Sequence, residues 1–390
     1  MMSYIPTNLF HDHRIGYQSG VARNVTQSTV DRSRVVTLID RLMDNLVSIH
    51  DETGEFLLHL DDGRVIDTKG WNGWEWTHGV GLFGMWRYVE QTGDAKALGI
   101  IHQWFADQLP RGTTKNINTM APFLTLAYLY ERDPRPEWRA VMEEWAQWLM
   151  APDGLPKTEE GGFQHIVYND ENPGEMWDDT LMMSVLPLAR IGLLLDRPDY
   201  VEEAKRQFLV HIKYLFDTQS GLWFHGWDFN GRHNFARALW ARGNCWVTIA
   251  IPEIIEMLAL PEGDALRTFL VDTLAAQVRT LAATQDESGL WHTLVMDPTS
   301  YLEASATAGF AYGILKAVRL GLLPAEYESV GLKAVQGVID HINYAGELTQ
   351  VSFGTAMGDT LQFYQDIALT SMPYGQSLAI CALAEALHRG

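Results

Sequence analysis

Apolar residues recur along the chain at spacings of three and four, which is the period of helices that bury one face. Alternation with a period of two is almost absent. The pattern predicts about twelve helices and almost no strand, with the helices near residues 31–50, 74–91, 94–108, 118–132, 136–150, 177–195, 199–217, 236–259, 264–284, 302–320, 325–343 and 374–388.

The loops between these helices resemble one another. Segments 51–54, 217–223 and 286–291 each place a glycine a few residues after an acidic residue. Glycine permits the left-handed backbone that often ends a helix. A weak repeat of helix, turn, helix and long loop predicts six αα-hairpins side by side. Because a closed ring leaves no apolar edge exposed, the predicted fold is an all-α (α/α)6 toroid.

The chain is predicted to form one domain over residues 1–390, with residues 1–30 as an N-terminal arm. A length of 390 residues would ordinarily suggest two or three domains, but no Pro/Gly/Ser linker or block of charge divides the sequence. The long loops should gather at one end of the inner helices and wall a pocket there. Residues at loop–helix junctions are therefore the candidates for function.

The chain is strongly acidic, with 29 basic and 49 acidic residues and a net charge of −20. This balance argues against nucleic acid binding, which needs a basic face. No apolar run approaches the ~18 residues of a membrane span, and no secretory signal is visible. Cys245 and Cys381 lack the spacing of a disulfide framework or a zinc site. We expect a cytoplasmic protein that needs no metal or cofactor, and its oligomeric state stays open.

Segment 175–183 carries the most suggestive chemistry, because Asp178 and Asp179 open a strongly apolar helix. Adjacent helical residues point ~100° apart, so only one of the two can face a pocket. Asp179 lies on the side of the buried stripe, whereas Asp178 could cap the helix start. Apolar neighbours such as Trp177 raise the pKa of a carboxyl group and the helix dipole lowers it, and the sequence leaves that balance open. A purely structural role for both aspartates also stays open.

Arg242 lies between Trp240 and Trp246 at a predicted loop–helix junction. Its planar guanidinium suits a carboxylate and would supply the local cation that an anionic substrate requires in so acidic a protein. The alternative is that Arg242 pairs with a core acid. The chain has 14 tryptophans, and Trp74 and Trp76 could form a stacking wall for sugar rings, although core packing is the more common use of this residue.

Weaker candidates are Asn118, whose amide could bind hydroxyl groups, and His165, since a lone histidine is more often structural. Residues 79–84 form a formal Gly-x-Gly-x-x-Gly, but they follow an aromatic polar loop and not a strand. We therefore expect these glycines to allow close helix packing. No serine-nucleophile, phosphate-loop or dinucleotide motif occurs.

Several of these motifs, in this order, resemble glycoside hydrolase family 105, the unsaturated rhamnogalacturonyl and glucuronyl hydrolases. The likeness spans nearly the whole chain and rests on segments 74–82, 115–122, 162–165, 177–183, 224–228, 240–244 and 301–308. That family has an (α/α)6 barrel, which agrees with the helix count. The resemblance implies a small acidic oligosaccharide substrate that ends in a Δ4,5-unsaturated uronic acid left by a polysaccharide lyase.

The resemblance also implies a mechanism in which an aspartate protonates C4, water adds at C5 and the resulting hemiketal collapses. The aspartate directly before Thr-Leu in the family motif is Asp179 here. Arg242 would hold polar groups of the substrate such as its carboxylate. The other positions implied to line the pocket are Trp240, Trp246, His165 and His225.

One departure concerns Asn118, because some relatives carry an aspartate at that position. A conventional inverting glycosidase needs a second carboxylate ~6.5–9.5 Å from the acid, whereas one aspartate can both protonate a double bond and deprotonate water. The group that activates water therefore stays open. Two alternatives remain: an inverting glycosidase that pairs Asp179 with Glu303 or Asp228, and a sugar-binding toroid without catalysis.

Overall fold

The computed structural model describes residues 31–389, so the predicted arm of residues 1–30 lies outside the described residues. The described residues form thirteen α-helices: α1 (Arg32–Ser48), α2 (Trp76–Thr92), α3 (Ala95–Gln108), α4 (Pro122–Arg132), α5 (Pro136–Met150), α6 (Leu186–Leu194), α7 (Pro198–Leu215), α8 (Ala241–Met257), α9 (Ala265–Thr284), α10 (Ala304–Arg319), α11 (Glu328–Asp340), α12 (Leu361–Gln365) and α13 (Pro373–Ala386).

Six of these helices form a closed inner ring. In the order α2, α4, α6, α8, α10 and α13, each helix packs against the next, and α13 packs against α2. Helices α3, α5, α7, α9 and α11 each pack outside the inner helix that precedes them, and α1 packs outside α13. The predicted (α/α)6 toroid is therefore confirmed, and its sixth hairpin is made from α1 and α13, the first and last α-helices of the described residues.

Burial follows the two layers. Helices α8, α10 and α13 are buried along nearly their whole length, as expected for apolar helices surrounded by others, whereas α1 buries a single stripe. A single cluster of buried apolar residues extends through the helices from α1 to α13. The prediction of a single domain over the whole chain stays a prediction. Within residues 31–389, no helix has both the length and the apolar character needed to cross a membrane.

The described residues differ from the predicted elements in their short segments. Helix α12 is one turn of five residues, too short for apolar periodicity to indicate. Three ribbons of two or three residues per strand are likewise too short to show a period of two. They pair β1 (Leu57–His59) with β2 (Val65–Asp67), β3 (Glu175–Trp177) with β4 (Gly226–Asp228), and β5 (Trp291–His292) with β6 (Leu302–Glu303), all antiparallel.

Glycines allow the close approaches of the inner ring, as predicted. A Cβ on Gly79 would lie 2.5 Å from the Ala121 side chain beside α4, and one on Gly84 would lie 2.9 Å from Cys381 Sγ on α13. In the repeated loops, Gly221 has a φ of 76°. Its left-handed backbone confirms the predicted turn.

The C-terminal ends of the inner helices hold a network of buried charges. Glu253 of α8 accepts hydrogen bonds from Lys316, Arg87 and Tyr312. Burial acts to raise the pKa of Glu253, but the charges of Arg87 and Lys316 outweigh it and lower that pKa to about 2. Cations at this end also face the partial negative charge of the helix C-termini.

Replacing Glu253 with Gln keeps the size of the side chain but leaves Arg87 and Lys316 without their buried counter-charge. We expect the free energy of unfolding, measured by urea denaturation at pH 7, to fall by about 3–5 kcal/mol. Glu256→Gln is the matched control, because Glu256 lies 2.6 Å from the same lysine but is 39% exposed. That control should cost about 1 kcal/mol or less, and equal losses in both variants would contradict the assignment.

Candidate active site

A cavity of about 600 Å³ opens at the end of the ring where the inner helices begin. Residues at or just before the beginnings of five inner helices line it: Glu75–His78, Asn118, Asp179, Trp240 and Arg242, and Met372 and Tyr374. Asn118 opens a 3-10 turn that leads into α4, and Asp179 precedes a π-helical turn (Leu181–Val185) that leads into α6. Helix N-termini have partial positive charge, so their convergence favours an anionic ligand. This field matters because Arg242 is the one arginine or lysine among the described residues of the lining.

The β3–β4 ribbon brings the central groups together. Trp177 pairs with Gly226, and the amide of Asp178 donates a hydrogen bond to the carbonyl of His225 at 3.0 Å. The Nε2 atom of His225 consequently lies 3.4 Å from Oδ2 of Asp179. Asp179 lines the cavity with its side chain 17% exposed. The sequence prediction that Asp179 and Arg242 face one hollow therefore agrees with the geometry.

Two histidines flank Asp179 and are themselves held in place. His225 Nδ1 lies 2.8 Å from the hydroxyl of Tyr364. The ring of His165 stacks on Trp177 at 4.2 Å, and its Nδ1 lies 2.9 Å from Thr180 Oγ1. Burial lowers the pKa of His165 to about 3, so this ring is neutral at neutral pH. His225 is buried just behind Asp179, outside the lining itself.

The adjacent carboxyl groups have opposite pKa shifts. Complete burial raises the pKa of Asp178 well above its ordinary value, and the negative charge of Asp179 adds to that effect. Burial also acts to raise the pKa of Asp179, but the nearby imidazole of His225 outweighs it and lowers the pKa to about 2. In the free cavity the neutral form of Asp178 and the ionised form of Asp179 are therefore favoured. The sequence left open whether the pKa of Asp179 is raised or lowered, and the structure shows it lowered beside His225.

Two further acids of the cavity are kept more neutral by burial. Glu75 caps α2, and its Oε2 accepts the Trp76 N–H at 2.7 Å. Burial raises the pKa of Glu75 to about 8 and also raises the pKa of Glu175. A cavity in which burial favours the neutral form of some carboxyl groups repels an anion less than its composition suggests.

Arg242 pairs with a core acid, the alternative left open by the sequence. Its Nη1 lies 3.4 Å from Glu303 and donates to Ser352 Oγ at 2.6 Å, while its Nη2 donates to the Phe353 carbonyl and to Thr355 Oγ1, both at 3.0 Å. Phe353 and Thr355 line the cavity. Arg242 thus fastens one wall of the cavity, and its contact with a substrate carboxylate stays a prediction.

Most of the predicted site residues lie together in the lining: Trp76, Asn118, His165, Asp179, Trp240 and Arg242. Trp74 and Trp246, predicted to contact substrate, lie outside it. Trp74 is buried between Trp104 and Trp145, with ring centroids 5.2 and 5.9 Å away, and Trp246 meets Trp76 edge-on at 5.7 Å. Both support the wall from behind, because they are buried in the core.

Sequence reasoning missed several lining residues. Tyr374 begins α13 and stacks on Trp76 at 4.7 Å. The rule that junction residues are functional candidates, applied to the last predicted helix, would have found it. Segment 353–357 also lines the cavity, but it has neither periodicity nor a motif that could have indicated this position.

One cluster has the spacing of a metal site. One carboxyl oxygen from each of Asp178 and Asp179 and one ring nitrogen of His225 lie within 4.8 Å of one another. Metal ligands must be deprotonated, whereas the complete burial of Asp178 favours its neutral form. The donor set therefore suits a shared proton better than a cation.

The cavity holds a carboxyl group among aromatic rings at one end of a helical toroid, and the similarity to known proteins assigns this chain to the glycoside hydrolases. The sequence pattern described as Glycosyl Hydrolase Family 88 matches residues 48–389. This chain belongs to that family, and the predicted likeness to glycoside hydrolase family 105 is confirmed by the solved structures to which it is similar.

Two crystal structures described as possible members of the GH105 family are each 59% identical to the chain. That from Klebsiella pneumoniae has a TM-score of 0.90 over 92% of this chain and 94% of its own. That from Salmonella enterica has a TM-score of 0.91 over 93% of this chain and 96% of its own. The unsaturated rhamnogalacturonyl hydrolase YesR of Bacillus subtilis is 30% identical over 319 residues, which cover 80% of this chain and 90% of that protein.

Replacing Arg242 with Lys should loosen the wall, because one ammonium group can stay near Glu303 but cannot also bond Phe353 and Thr355. Hydrogen bonds to a charged group contribute about 1.5–3 kcal/mol, so amide exchange over 352–357 should quicken at least about tenfold. Hydrogen–deuterium exchange mass spectrometry measures this. Arg237→Lys is the control, since Arg237 is exposed. Unchanged exchange in Arg242→Lys would contradict the fastening role.

Proposed function

We propose that the protein releases a terminal Δ4,5-unsaturated galacturonic or glucuronic acid from short oligosaccharides made by polysaccharide lyases. The observation that carries this proposal is the Asp179 carboxyl group, partly exposed in a cavity formed by aromatic rings and helix N-termini. A volume of about 600 Å³ suits a small oligosaccharide. The name of the Bacillus subtilis relative describes a hydrolase of this kind.

The reaction begins when the anionic sugar enters and excludes water, which raises the pKa of Asp179 and lets this carboxyl group take up a proton. Asp179 gives that proton to C4, and the double-bond electrons leave a cation at C5 that the ring oxygen stabilises. Water attacks C5 and returns a proton to Asp179. The ring C5–O bond of the hemiketal then breaks to form a ketone, and the C1 hemiacetal expels the aglycone.

The inverting-glycosidase alternative lacks a suitable second carboxylate among its two candidates. Both oxygens of Glu303 accept hydrogen bonds, from Ser305 Oγ and the Ser352 amide at one oxygen and from the Ala306 amide at the other. Asp228 binds the amides of a turn, and neither acid lines the cavity. Asn118 does line it and cannot act as a base. Neither of these two acids is placed to activate water, and hydration of a double bond can be served by one aspartate.

A panel of disaccharides tests the reaction class. Of two matched uronyl disaccharides, we expect the protein to hydrolyse the Δ4,5-unsaturated one and not the saturated one, because only the former contains the double bond that Asp179 would protonate. We expect the ultraviolet absorbance of the unsaturated compound to decay with release of its aglycone. Release of an aglycone from the saturated compound at a similar rate would support the inverting alternative.

The same panel of disaccharides identifies the preferred uronic acid. The predicted cytoplasmic location is tested separately, by cell fractionation.

Asp179→Asn removes the proton donor while preserving shape. We expect kcat to fall ~10²–10⁴-fold, the range for a general acid–base group, with the fold retained by circular dichroism. The matched control is Asp359→Asn, which neutralises a different, exposed carboxyl group of the same cavity and should change kcat little. Full activity of Asp179→Asn would assign the chemistry to another residue.

A further inference from the structure

Asp178 is a buried acid with no evident role in the reaction so far. Its side chain is completely buried, and within residues 31–389 neither of its carboxyl oxygens has a hydrogen-bond partner. An ionised carboxylate in such surroundings is far more costly than a neutral acid. A neutral acid still has one O–H to donate, so an acceptor must lie close by.

The acceptor is provided by the neighbouring carboxyl group. One oxygen of Asp178 lies within 4.8 Å of one oxygen of Asp179 and of a ring nitrogen of His225. Oδ2 of Asp179 and Nε2 of His225 are likewise buried without partners. Protons on Asp178 and on His225 Nε2, both directed to Asp179 Oδ2, would give a partner to Asp179 Oδ2, to His225 Nε2 and to one oxygen of Asp178.

The surroundings restrict the carboxyl group of Asp178. A Cβ on Gly243 of α8 would lie 2.5 Å from Asp178 Oδ2, so the glycine leaves just enough room for the acid. The Tyr364 hydroxyl can donate to His225 Nδ1, which leaves the proton on Nε2. The titratable groups near Asp178 are Asp179, His225, Cys245 and Tyr364. His165 lies beside Asp179, and Arg242 and Glu303 are near Cys245.

The two oxygens of Asp179 have different environments. Oδ2 is buried, so the exposed part of this carboxyl group is on the Oδ1 side, toward the cavity. An oxygen held by two donors keeps the carboxyl plane fixed and stabilises the negative charge that forms when the other oxygen gives up a proton.

We propose that Asp178 is a positioning residue that remains a neutral acid and donates a hydrogen bond to Asp179 Oδ2, leaving Oδ1 to exchange the catalytic proton with the substrate. The proposal rests on the proposed function. Asp178 keeps its proton throughout: Asp179 gives one proton to C4 and regains one from water, and the Asp178 hydrogen bond stabilises the carboxylate between these steps.

The first test needs no substrate. Difference infrared spectroscopy of the wild-type protein at pH 7, in H₂O and D₂O, should show the C=O stretch of a protonated, hydrogen-bonded carboxyl group. The part of this band that belongs to Asp178 should vanish in Asp178→Asn and shift in Asp179→Asn, where a neutral amide replaces the charged acceptor, whereas the part that belongs to Glu75, whose pKa burial raises to about 8, should remain in both variants. A wild-type spectrum without the band, or a band unaffected by Asp178→Asn, would overturn the proposal.

The second test is rescue by a neutral donor. Asp178→Asn retains an N–H that can bond Asp179 and should keep kcat within about tenfold of wild type, whereas Asp178→Ala should lose about 10- to 100-fold in kcat with KM little changed. Equal losses in the two variants would overturn the proposal. A wild-type protein inactive on every unsaturated disaccharide would instead refute the proposed function, and the infrared result would stand separately.

Discussion

An outer helix returns the chain between one inner helix and the next, so all the inner helices run in one direction, and the electrostatics of both ends of the ring depend on that direction. The beginnings of these helices surround the cavity, and a second cavity is lined by their C-terminal residues, including Arg87 and Lys316. Partial positive charge therefore gathers where an anionic sugar would bind, and cations gather at the opposite end. A chain with a net charge of −20 can attract an acidic ligand because this local field is set by backbone orientation.

At this end of the ring, burial and the His225 imidazole shift the pKa values of two chemically identical side chains in opposite directions. Asp178 and Asp179 are adjacent in sequence, but the first has no partner that could stabilise its charge and the second lies beside His225. The difference depends on the β3–β4 ribbon, which brings residue 225 to residues 178 and 179. The roles of the carboxyl groups are therefore determined by a pairing of two short strands that are distant in sequence.

The sequence was sufficient to predict the toroid, the twelve longer helices and Asp179 as a lining residue, because apolar periodicity and ordered motifs are local signals. The sequence did not indicate which distant segments contact one another. The motif around Arg242 suggested a ligand for a carboxylate, but the partners of its guanidinium come from residues 303 and 352–355. Trp74 and Trp76 looked equivalent in sequence, and the packing of Trp104 and Trp145 around Trp74 distinguishes this buried ring from the partly buried ring of Trp76.

The sixth hairpin, made of α1 and α13, has a consequence for how the protein is synthesised. Helix α13 lies between α2 and α10 and supplies Tyr374 to the cavity. A nascent chain in which α13 has not yet been synthesised can form the earlier hairpins but leaves the apolar sides of α2 and α10 uncovered. The cavity therefore cannot be complete before α13 is in place, so truncation ahead of α13 should be as damaging as mutation of the site.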